Sequence, residues 1–284
     1  MTVTGAAAAV WVNGRLDGVL SPLERGLHYG DGLFETIACV GGRPRFLRLH
    51  LERLARGCTR LGIAFPAPDE LRYEILSAAA QAERSIVKVL LTRGAARARG
   101  YGITGAEQAT RVTLRYPWEA PDPRLAGEGV RVRLATLRLA ENAALAGLKH
   151  LNRLEQVLAR QEWTDPGIGE ALMLSASGRL VSGVMSNVFL IEGSTLRTPL
   201  LDRCGVSGIM RQVVLREAAR AGIAAEEAVL DGADLARADE LFLTSSVIGL
   251  RPVRALDGRA CERGALTREL QQRLAPLLAE ATDA

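Results

Sequence analysis

Lysine is scarce in this chain. Of its 36 basic residues only Lys88 and Lys149 are lysines, and all the others are arginines. An arginine side chain stays protonated at any ordinary pH, whereas a lysine amine can lose its proton, attack a carbonyl and form a Schiff base. GC-rich coding would also leave few lysines, so the count alone does not show that either one has a chemical role.

Aromatic residues are scarce too, at 4%, and the arginines are spread among 32 acidic residues, which leaves a net charge of +4. A nucleic-acid-binding protein usually has a basic stripe or a stacking platform, and we find neither. We interpret the basic balance as codon usage or as affinity for a small anionic substrate. The four cysteines and three histidines are scattered, so they predict neither a metal site nor a disulfide framework.

Long apolar runs are absent from the sequence. No stretch approaches the length needed to span a bilayer, and the short apolar run Ala6–Val12 lacks the basic flank of a signal peptide. We therefore expect a cytoplasmic protein with no membrane partner.

The chain has 284 residues, 48% of them hydrophobic, which is enough for one large or two moderate domains. Three prolines within Pro117–Pro123 exclude a helix or a central strand there. We expect an N-terminal α/β domain over 1–116, a linker over 117–125 and a C-terminal α+β domain over 126–284. Helices and hairpin-joined strands alternate in both halves, which favours an α+β fold over a doubly wound parallel sheet.

Periodicity and turn signals predict the individual elements. The predicted strands are Val10–Val12, Arg15–Leu20, a strand ending at Val40, Ser85–Thr92, Arg111–Tyr116, Val130–Leu137, Glu170–Leu174, Leu180–Val181, Asn187–Ile191 and Glu240–Leu243. The predicted helices are Phe46–Leu61, Glu70–Arg84, Leu151–Glu162, Gly208–Ala221 with Ser207 as its cap, and Leu266–Ala279. Lys88 lies within a predicted strand, and we expect it on a face that points to solvent or to an interface.

Several segments have residues suited to binding anions, although each also has a purely structural explanation. Glycines and a serine precede the predicted helix at Gly208, where free N–H groups and the helix dipole favour a phosphate. Thr244–Ser246 follows a strand and offers hydroxyl groups, but a hydroxyl-rich turn would look the same. Arg53 lies off the apolar stripe of its helix, as a solvated charge would. The arginine-rich loop Arg93–Tyr101 follows a buried strand and suits carboxylate binding, or is simply a solvated loop.

The segment Leu145–Leu158, which contains Lys149, closely resembles the cofactor-lysine segment of 4-amino-4-deoxychorismate lyases. These enzymes belong to the fold-type IV pyridoxal-phosphate group, together with branched-chain and D-amino-acid aminotransferases. The resemblance covers nearly the whole chain, and its further motifs are Tyr29–Thr36, His50–Leu54, Arg99–Tyr101, Ser186–Phe189, Gly205–Arg211 and Pro252–Val253. It implies a two-domain fold like that of D-amino-acid aminotransferase and a homodimer whose active site lies between the domains.

The resemblance also implies roles for individual residues. Lys149 would bind pyridoxal 5'-phosphate covalently and act as the catalytic base. The phosphate would be held by Arg53, the backbone of Ile209 and Met210, Ser246 and the adjoining Val247. The residues implied in substrate binding are Arg99, Tyr101, Phe34 and Glu35. No metal ion is implied.

One position departs from the family pattern. Where the family usually has a glutamate that pairs with the pyridine nitrogen of the cofactor, this chain has Ser182. A serine hydroxyl can form a hydrogen bond with the nitrogen but cannot hold a proton there by charge. We therefore expect a lyase more than an aminotransferase.

The implied reaction converts 4-amino-4-deoxychorismate to 4-aminobenzoate and pyruvate in folate biosynthesis. The alternatives are a D-amino-acid or branched-chain aminotransferase and, from another class, a cofactor-free binding protein on the same fold.

Overall fold

The computed structural model describes residues 8–120 and 122–279, which form two compact units. The first unit contains 8–120 together with the short segment 149–152, and the second contains 122–148 and 153–278. The segment around Lys149 therefore belongs to the first unit, although it follows the predicted linker by more than twenty residues. Within the described residues, no helix is both long enough and apolar enough to cross a membrane.

The first unit is built on a six-stranded antiparallel sheet with the strand order β2-β1-β6-β5-β3-β4. Its elements are β1 (Ala9–Val12), β2 (Arg15–Leu16), α1 (Arg25–Tyr29), β3 (Gly32–Val40), β4 (Arg43–Pro44), α2 (Leu47–Leu61), α3 (Pro68–Ala79), β5 (Arg84–Thr92) and β6 (Thr110–Pro117). Helix α2 packs on β3, and α3 packs on β5 and β6.

Alternation along β3 separates two faces of this sheet, because successive side chains of a strand point in opposite directions. Leu33, Glu35 and Ile37 are buried on the face that packs against the helices. A Cβ on Gly57 of α2 would lie 2.7 Å from Leu33 Cδ1, so a glycine here allows the helix to approach the strand closely. The core of the unit consists of Leu33, Ile37, Leu54, Cys58, Leu71, Ile75, Val87, Val89 and Leu91.

The second unit contains a nine-stranded mixed sheet in the order β12-β11-β10-β13-β14-β7-β8-β9, with β15 paired to β14. Three neighbouring pairs are parallel, namely β11 with β12, β14 with β7 and β7 with β8. Its elements are α4 (Pro123–Glu128), β7 (Val130–Leu139), α5 (Leu154–Arg160), β8 (Ile168–Ser175), β9 (Leu180–Gly183), β10 (Asn187–Glu192), β11 (Thr195–Pro199), α6 (Ile209–Arg220), β12 (Ala225–Ala228), α7 (Gly232–Arg237), β13 (Glu240–Ser245), β14 (Gly249–Leu256), β15 (Arg259–Ala260) and α8 (Ala265–Ala279).

Three predicted helices begin later than expected, and the first of them, α2, begins at Leu47 with Phe46 as its N-cap. The helix predicted from Leu151 begins at Leu154, because residues 149–152 pair with a strand of the first unit instead. The helix predicted from Gly208 begins at Ile209, and Gly208 is its N-cap, with no side-chain capping bond. The prediction that Ser207 caps this helix is therefore wrong.

Candidate active site

Lys149 is attached to the sheet of the first unit by backbone hydrogen bonds. The Phe34 N–H donates to the Lys149 carbonyl over 2.9 Å, and the Leu151 N–H donates to the Gly32 carbonyl over 3.0 Å. His150 thereby forms a bridge with Leu33 on β3. The half-buried Lys149 side chain extends over the phenyl ring of Phe34, with Nζ 4.1 Å from the ring centroid. The residue predicted to bind the cofactor is thus held by the start of β3.

A buried carboxylate lies next to this segment. Glu35 is 2% exposed and accepts hydrogen bonds from two residues of α2. Arg53 Nε donates to Oε1 over 2.8 Å, and its Nη2 donates to Oε2. His50 Nδ1 lies 2.6 Å from Oε2. Glu35 was predicted to bind substrate, but both of its oxygens are occupied by protein groups inside the helix-facing side of the sheet. We therefore interpret Glu35 as a residue that positions Arg53.

The charges of this cluster follow from its burial. Burial alone would raise the pKa of Glu35, but the Arg53 guanidinium and His50 more than offset this effect and lower the pKa to about 2. Burial lowers the pKa of His50, although the Glu35 carboxylate opposes the change. A neutral His50 with its proton on Nδ1 fits both results, since Nε2 is buried and has no hydrogen-bond partner in the described chain. The cluster thus holds an ionised Glu35 against a charged Arg53.

The arginine-rich loop uses its residues in two different ways. Arg93 donates to Asp31 and to the carbonyls of Leu61 and Gly62, so this arginine is engaged within the protein. Arg99 is exposed, and so is Tyr101 at 83%, which contacts the ring of Tyr29.

The backbone of this loop is held from inside the unit. Arg25, only 4% exposed, pairs with Asp31 and donates to the carbonyls of Gly100, Tyr101 and Gly102. The two predicted substrate-binding side chains therefore project from a restrained loop.

The second unit brings the two predicted phosphate-binding segments to one end of its sheet. Asn187, the first residue of β10, lies opposite Thr244 of β13, and its Nδ2 donates to the Val206 carbonyl just before α6. A Cβ on Gly208 would lie 1.9 Å from Asn187 Oδ1, so only glycine fits at this point. The start of α6 and the segment after β13 are thus joined through one asparagine.

The four predicted phosphate-binding residues of this unit lie on these two segments. Ile209 and Met210 are buried in the first turn of α6, where backbone N–H groups have no intrahelical acceptor. Ser246 and Val247 form the turn between β13 and β14.

Ser182 lies on β9 and is 9% exposed, with its hydroxyl donating to the Gly183 carbonyl over 2.8 Å. The turn that follows is held by Glu170, a buried carboxylate that the sequence reasoning did not single out. Glu170 accepts hydrogen bonds from the N–H groups of Val184 and Met185 and from the Ser186 hydroxyl. Burial raises the pKa of Glu170, and these donors oppose the increase.

Each unit, taken by itself, contains groups suited to one part of a phosphate-bearing aldehyde cofactor. The first unit supplies a half-buried amine and a fixed guanidinium. In the second unit Thr244 Oγ1 is fully buried and has no hydrogen-bond partner among the residues described, beside a helix start with no room for a side chain at Gly208. Unsatisfied donors of this kind are suited to phosphate oxygens. No group of His, Cys, Asp or Glu side chains in the described ranges is arranged to hold a metal ion.

Comparison with known proteins defines the class of this chain. The family model for class IV amino-transferases matches residues 32–256, and the chain belongs to this family. It is 32% identical over 269 residues to an aminodeoxychorismate lyase of Vibrio harveyi, covering 93% of this chain and 98% of the relative.

Solved structures agree with this assignment. The 4-amino-4-deoxychorismate lyase of Pseudomonas aeruginosa superposes with a TM-score of 0.91 at 45% identity, over 95% of this chain and 100% of that one. A branched-chain aminotransferase of Thermoproteus uzoniensis, solved with norvaline, has a TM-score of 0.83 at 26% identity, over 97% of this chain and 96% of the other. The predicted fold-type IV architecture and the lyase resemblance are confirmed.

Replacing Glu35 with glutamine should destabilise the protein by about 3 kcal/mol near neutral pH, because Arg53 would lose its buried counter-ion. The folded-state pKa of Glu35 lies below its ordinary value of 4.5, at about 2. Its contribution is therefore complete above pH 4.5 and is lost as the pH falls toward 2. Denaturant unfolding at a series of pH values should show the difference between the two proteins narrowing over this interval.

Glu52→Gln is the matched control, because Glu52 pairs with Arg48 on the exposed side of the same helix. It should change the free energy of unfolding very little. A Glu35→Gln protein no less stable than the Glu52→Gln protein, or a difference independent of pH, would contradict the buried pairing.

Proposed function

We propose that this protein is a pyridoxal-phosphate-dependent aminodeoxychorismate lyase that converts 4-amino-4-deoxychorismate to 4-aminobenzoate and pyruvate, a step that supplies folate biosynthesis. The observation that carries the proposal is the position of Lys149. A half-buried lysine amine lies over Phe34, held by backbone hydrogen bonds to β3 and next to the buried Glu35–Arg53 pair. The similarity to two lyases of the same family supports this choice of reaction.

Lys149 has two roles in the proposed reaction. Its amine would hold the cofactor aldehyde in the resting protein and would be free to act as a base once the substrate is bound. When bound, pyridoxal phosphate withdraws electrons from the carbon that bears the substrate nitrogen. The neutral Lys149 amine removes the proton from C4 of the substrate as a general base. The resulting ammonium gives this proton to the methylene carbon of the departing enolpyruvate, which leaves as pyruvate while the ring becomes aromatic.

The remaining predicted residues would orient the cofactor and the substrate. Arg53, fixed by Glu35, would bind the phosphate together with the N–H groups of Ile209 and Met210 and the turn at Ser246 and Val247. Ser182 would form a hydrogen bond with the pyridine nitrogen after its hydroxyl rotates away from the Gly183 carbonyl, to which it donates in this structure.

We further propose that the protein acts as a homodimer in which Arg99 and Tyr101 face the substrate. Their exposure on a loop whose backbone is held by buried Arg25 supports a role toward a bound molecule or a second copy.

The alternative is an aminotransferase of the same family, and Ser182 argues against it. Amino transfer requires the cofactor to stabilise negative charge on the substrate carbon in both half-reactions. The lyase reaction has a second driving force, because its product gains an aromatic ring. A serine in place of the usual glutamate therefore costs an aminotransferase more than it costs a lyase.

Two assays on the purified holoprotein separate these functions. We expect pyruvate release from 4-amino-4-deoxychorismate and little transfer of an amino group to 2-oxoglutarate. Lys149→Arg should lose both pyruvate release and the visible absorbance of the bound cofactor, since a guanidinium keeps the charge but not the nucleophilicity. Lys88→Arg is the control and should keep the absorbance. Amino transfer without pyruvate release would show that the alternative is correct, and activity retained by Lys149→Arg would refute the role of this lysine.

Ser182→Glu should raise amino transfer to 2-oxoglutarate severalfold and leave pyruvate release nearly unchanged, because the added carboxylate can hold a proton on the pyridine nitrogen. Ser182→Gln introduces a side chain of the same size as glutamate but without its charge, and it should not raise amino transfer. If Ser182→Glu instead strongly accelerated pyruvate release, Ser182 would not be what distinguishes the two activities.

A further inference from the structure

Both lysines of the chain lie over the same aromatic ring. Lys149 Nζ is 4.1 Å from the centroid of Phe34, and Lys88 Nζ is 5.3 Å from it. The two Nζ atoms are therefore separated by no more than the sum of these two distances. A single small ring compound could contact both amines. The two lysines of the chain thus lie beside one ring in the first unit.

Lys88 lies on the face of the six-stranded sheet opposite α2 and α3. It pairs with Thr36 on one side and with Leu114 on the other, so its side chain shares a face with Phe34 two residues away. The central positions of this face, apart from Lys88, are Phe34, Thr36, Ala38, Ile86, Leu90, Val112, Leu114 and Tyr116. Lys88 is the single charged residue among these central positions, and it is half-buried instead of exposed to solvent. Arg84, at the start of β5 on the same face, lies over the Trp118 ring.

No acidic side chain neutralises Lys88 within the described ranges. Burial lowers the pKa of Lys88, and no opposing carboxylate contributes. On the opposite face of the same sheet, Arg111 pairs with both Glu70 and Glu74. A cation withdrawn from water without a counter-ion destabilises the folded state. Lys88 has this unfavourable effect, whereas the two glutamates offset it at Arg111.

We propose that Lys88 binds the ring carboxylate of the substrate, on the side of the ring opposite the amine that reacts at Lys149. This inference rests on the proposed function. In 4-amino-4-deoxychorismate the amine and the ring carboxylate lie at opposite positions of a six-membered ring, so two amines that share one phenyl ring match its two ends. The carboxylate supplies the counter-ion that Lys88 lacks, and Phe34 provides an apolar surface between the two amines.

The choice of lysine at position 88 fits this role. A lysine ammonium is a compact charge on a flexible stem, whereas an arginine is a wider planar group that would cover more of the Phe34 ring. The presence of lysine at positions 88 and 149 then has one explanation, since each amine contacts a different end of the same small molecule.

The test compares 4-aminobenzoate with 4-aminobenzamide, which differs from it by having an uncharged amide in place of the carboxylate. Calorimetric titration of the holoprotein should show that 4-aminobenzoate binds at least about 10-fold more tightly, as a charge-assisted hydrogen bond predicts. In Lys88→Met this preference should fall nearly to unity, and Lys88→Arg should keep part of it. The KM for 4-amino-4-deoxychorismate should rise by a similar factor in Lys88→Met, with kcat changed much less.

Leu114→Met serves as a matched control, because Leu114 is paired with Lys88 on the same face and carries no charge. This variant should keep the preference for 4-aminobenzoate. Thermal unfolding provides an independent measurement, since removing a half-buried cation without a counter-ion should leave the unfolding midpoint of Lys88→Met unchanged or raised.

The outcomes separate this inference from the proposed function. If Lys88→Met keeps the full preference for 4-aminobenzoate, or if the unaltered protein shows none, Lys88 does not bind the carboxylate, whatever the pyruvate assay shows. Pyruvate release by the unaltered protein together with either of these results would leave the lyase assignment intact and overturn the role of Lys88 alone.

Discussion

The pairing of residues 149–152 with the first strand residues of β3 is the interaction on which the candidate site depends. Two backbone hydrogen bonds attach this segment to Gly32 and Phe34, although more than a hundred residues separate them in the chain. Backbone bonds of this kind fix the directions of the side chains along the segment, because successive side chains of a strand-like segment point to opposite faces. Lys149 therefore extends over Phe34, and a lysine that would be mobile in a loop is confined beside a buried ion pair.

Several arginines of the first unit have a carboxylate partner, whereas Arg45 and Arg84 lie over the Trp118 ring without an ion pair among the described residues. Arg25, Arg53 and Arg93 each pair with a buried or half-buried acid, and these pairs shape the protein itself. Lys88 has no such partner in the described chain, and its position on an apolar face makes it suited to an anion supplied from outside. Among the two lysines, Lys149 is the proposed cofactor-binding amine and Lys88 is the proposed partner of the substrate carboxylate.

Much of the fold could be predicted from local signals in the sequence. The amphipathic helix α2 and the buried strands β5 and β6 have periodicities that match the structure closely. The hairpin at Asn13–Gly14 also forms, but its second strand, predicted to reach Leu20, ends at Leu16. Lys149 and the start of α6 could be predicted as site residues because the segments that contain them resemble motifs of a known family. Long-range pairing could not be recognised in this way. The sequence after Lys149 has helical spacing from Leu151, but bonds to β3 delay the helix to Leu154.

The partners of buried polar groups were equally hidden from the sequence. Glu35 alternates with apolar residues along β3, and only the close approach of α2 shows that its carboxylate meets Arg53 and His50. The alternation of side chains along the strand could have indicated that Glu35 and Phe34 point to opposite faces and therefore have different roles. Glu170 gave no signal, because its donors are mainly backbone groups of a turn fifteen residues later.

Borohydride reduction of the purified holoprotein, followed by peptide mapping, tests the central claim most directly. The chain has only two lysines, so the cofactor adduct can be located without ambiguity. We predict that the reduced cofactor is found on the peptide that contains Lys149 and that Lys88 is unmodified. An adduct on Lys88, or a reduced protein in which neither lysine carries the cofactor, would contradict the account.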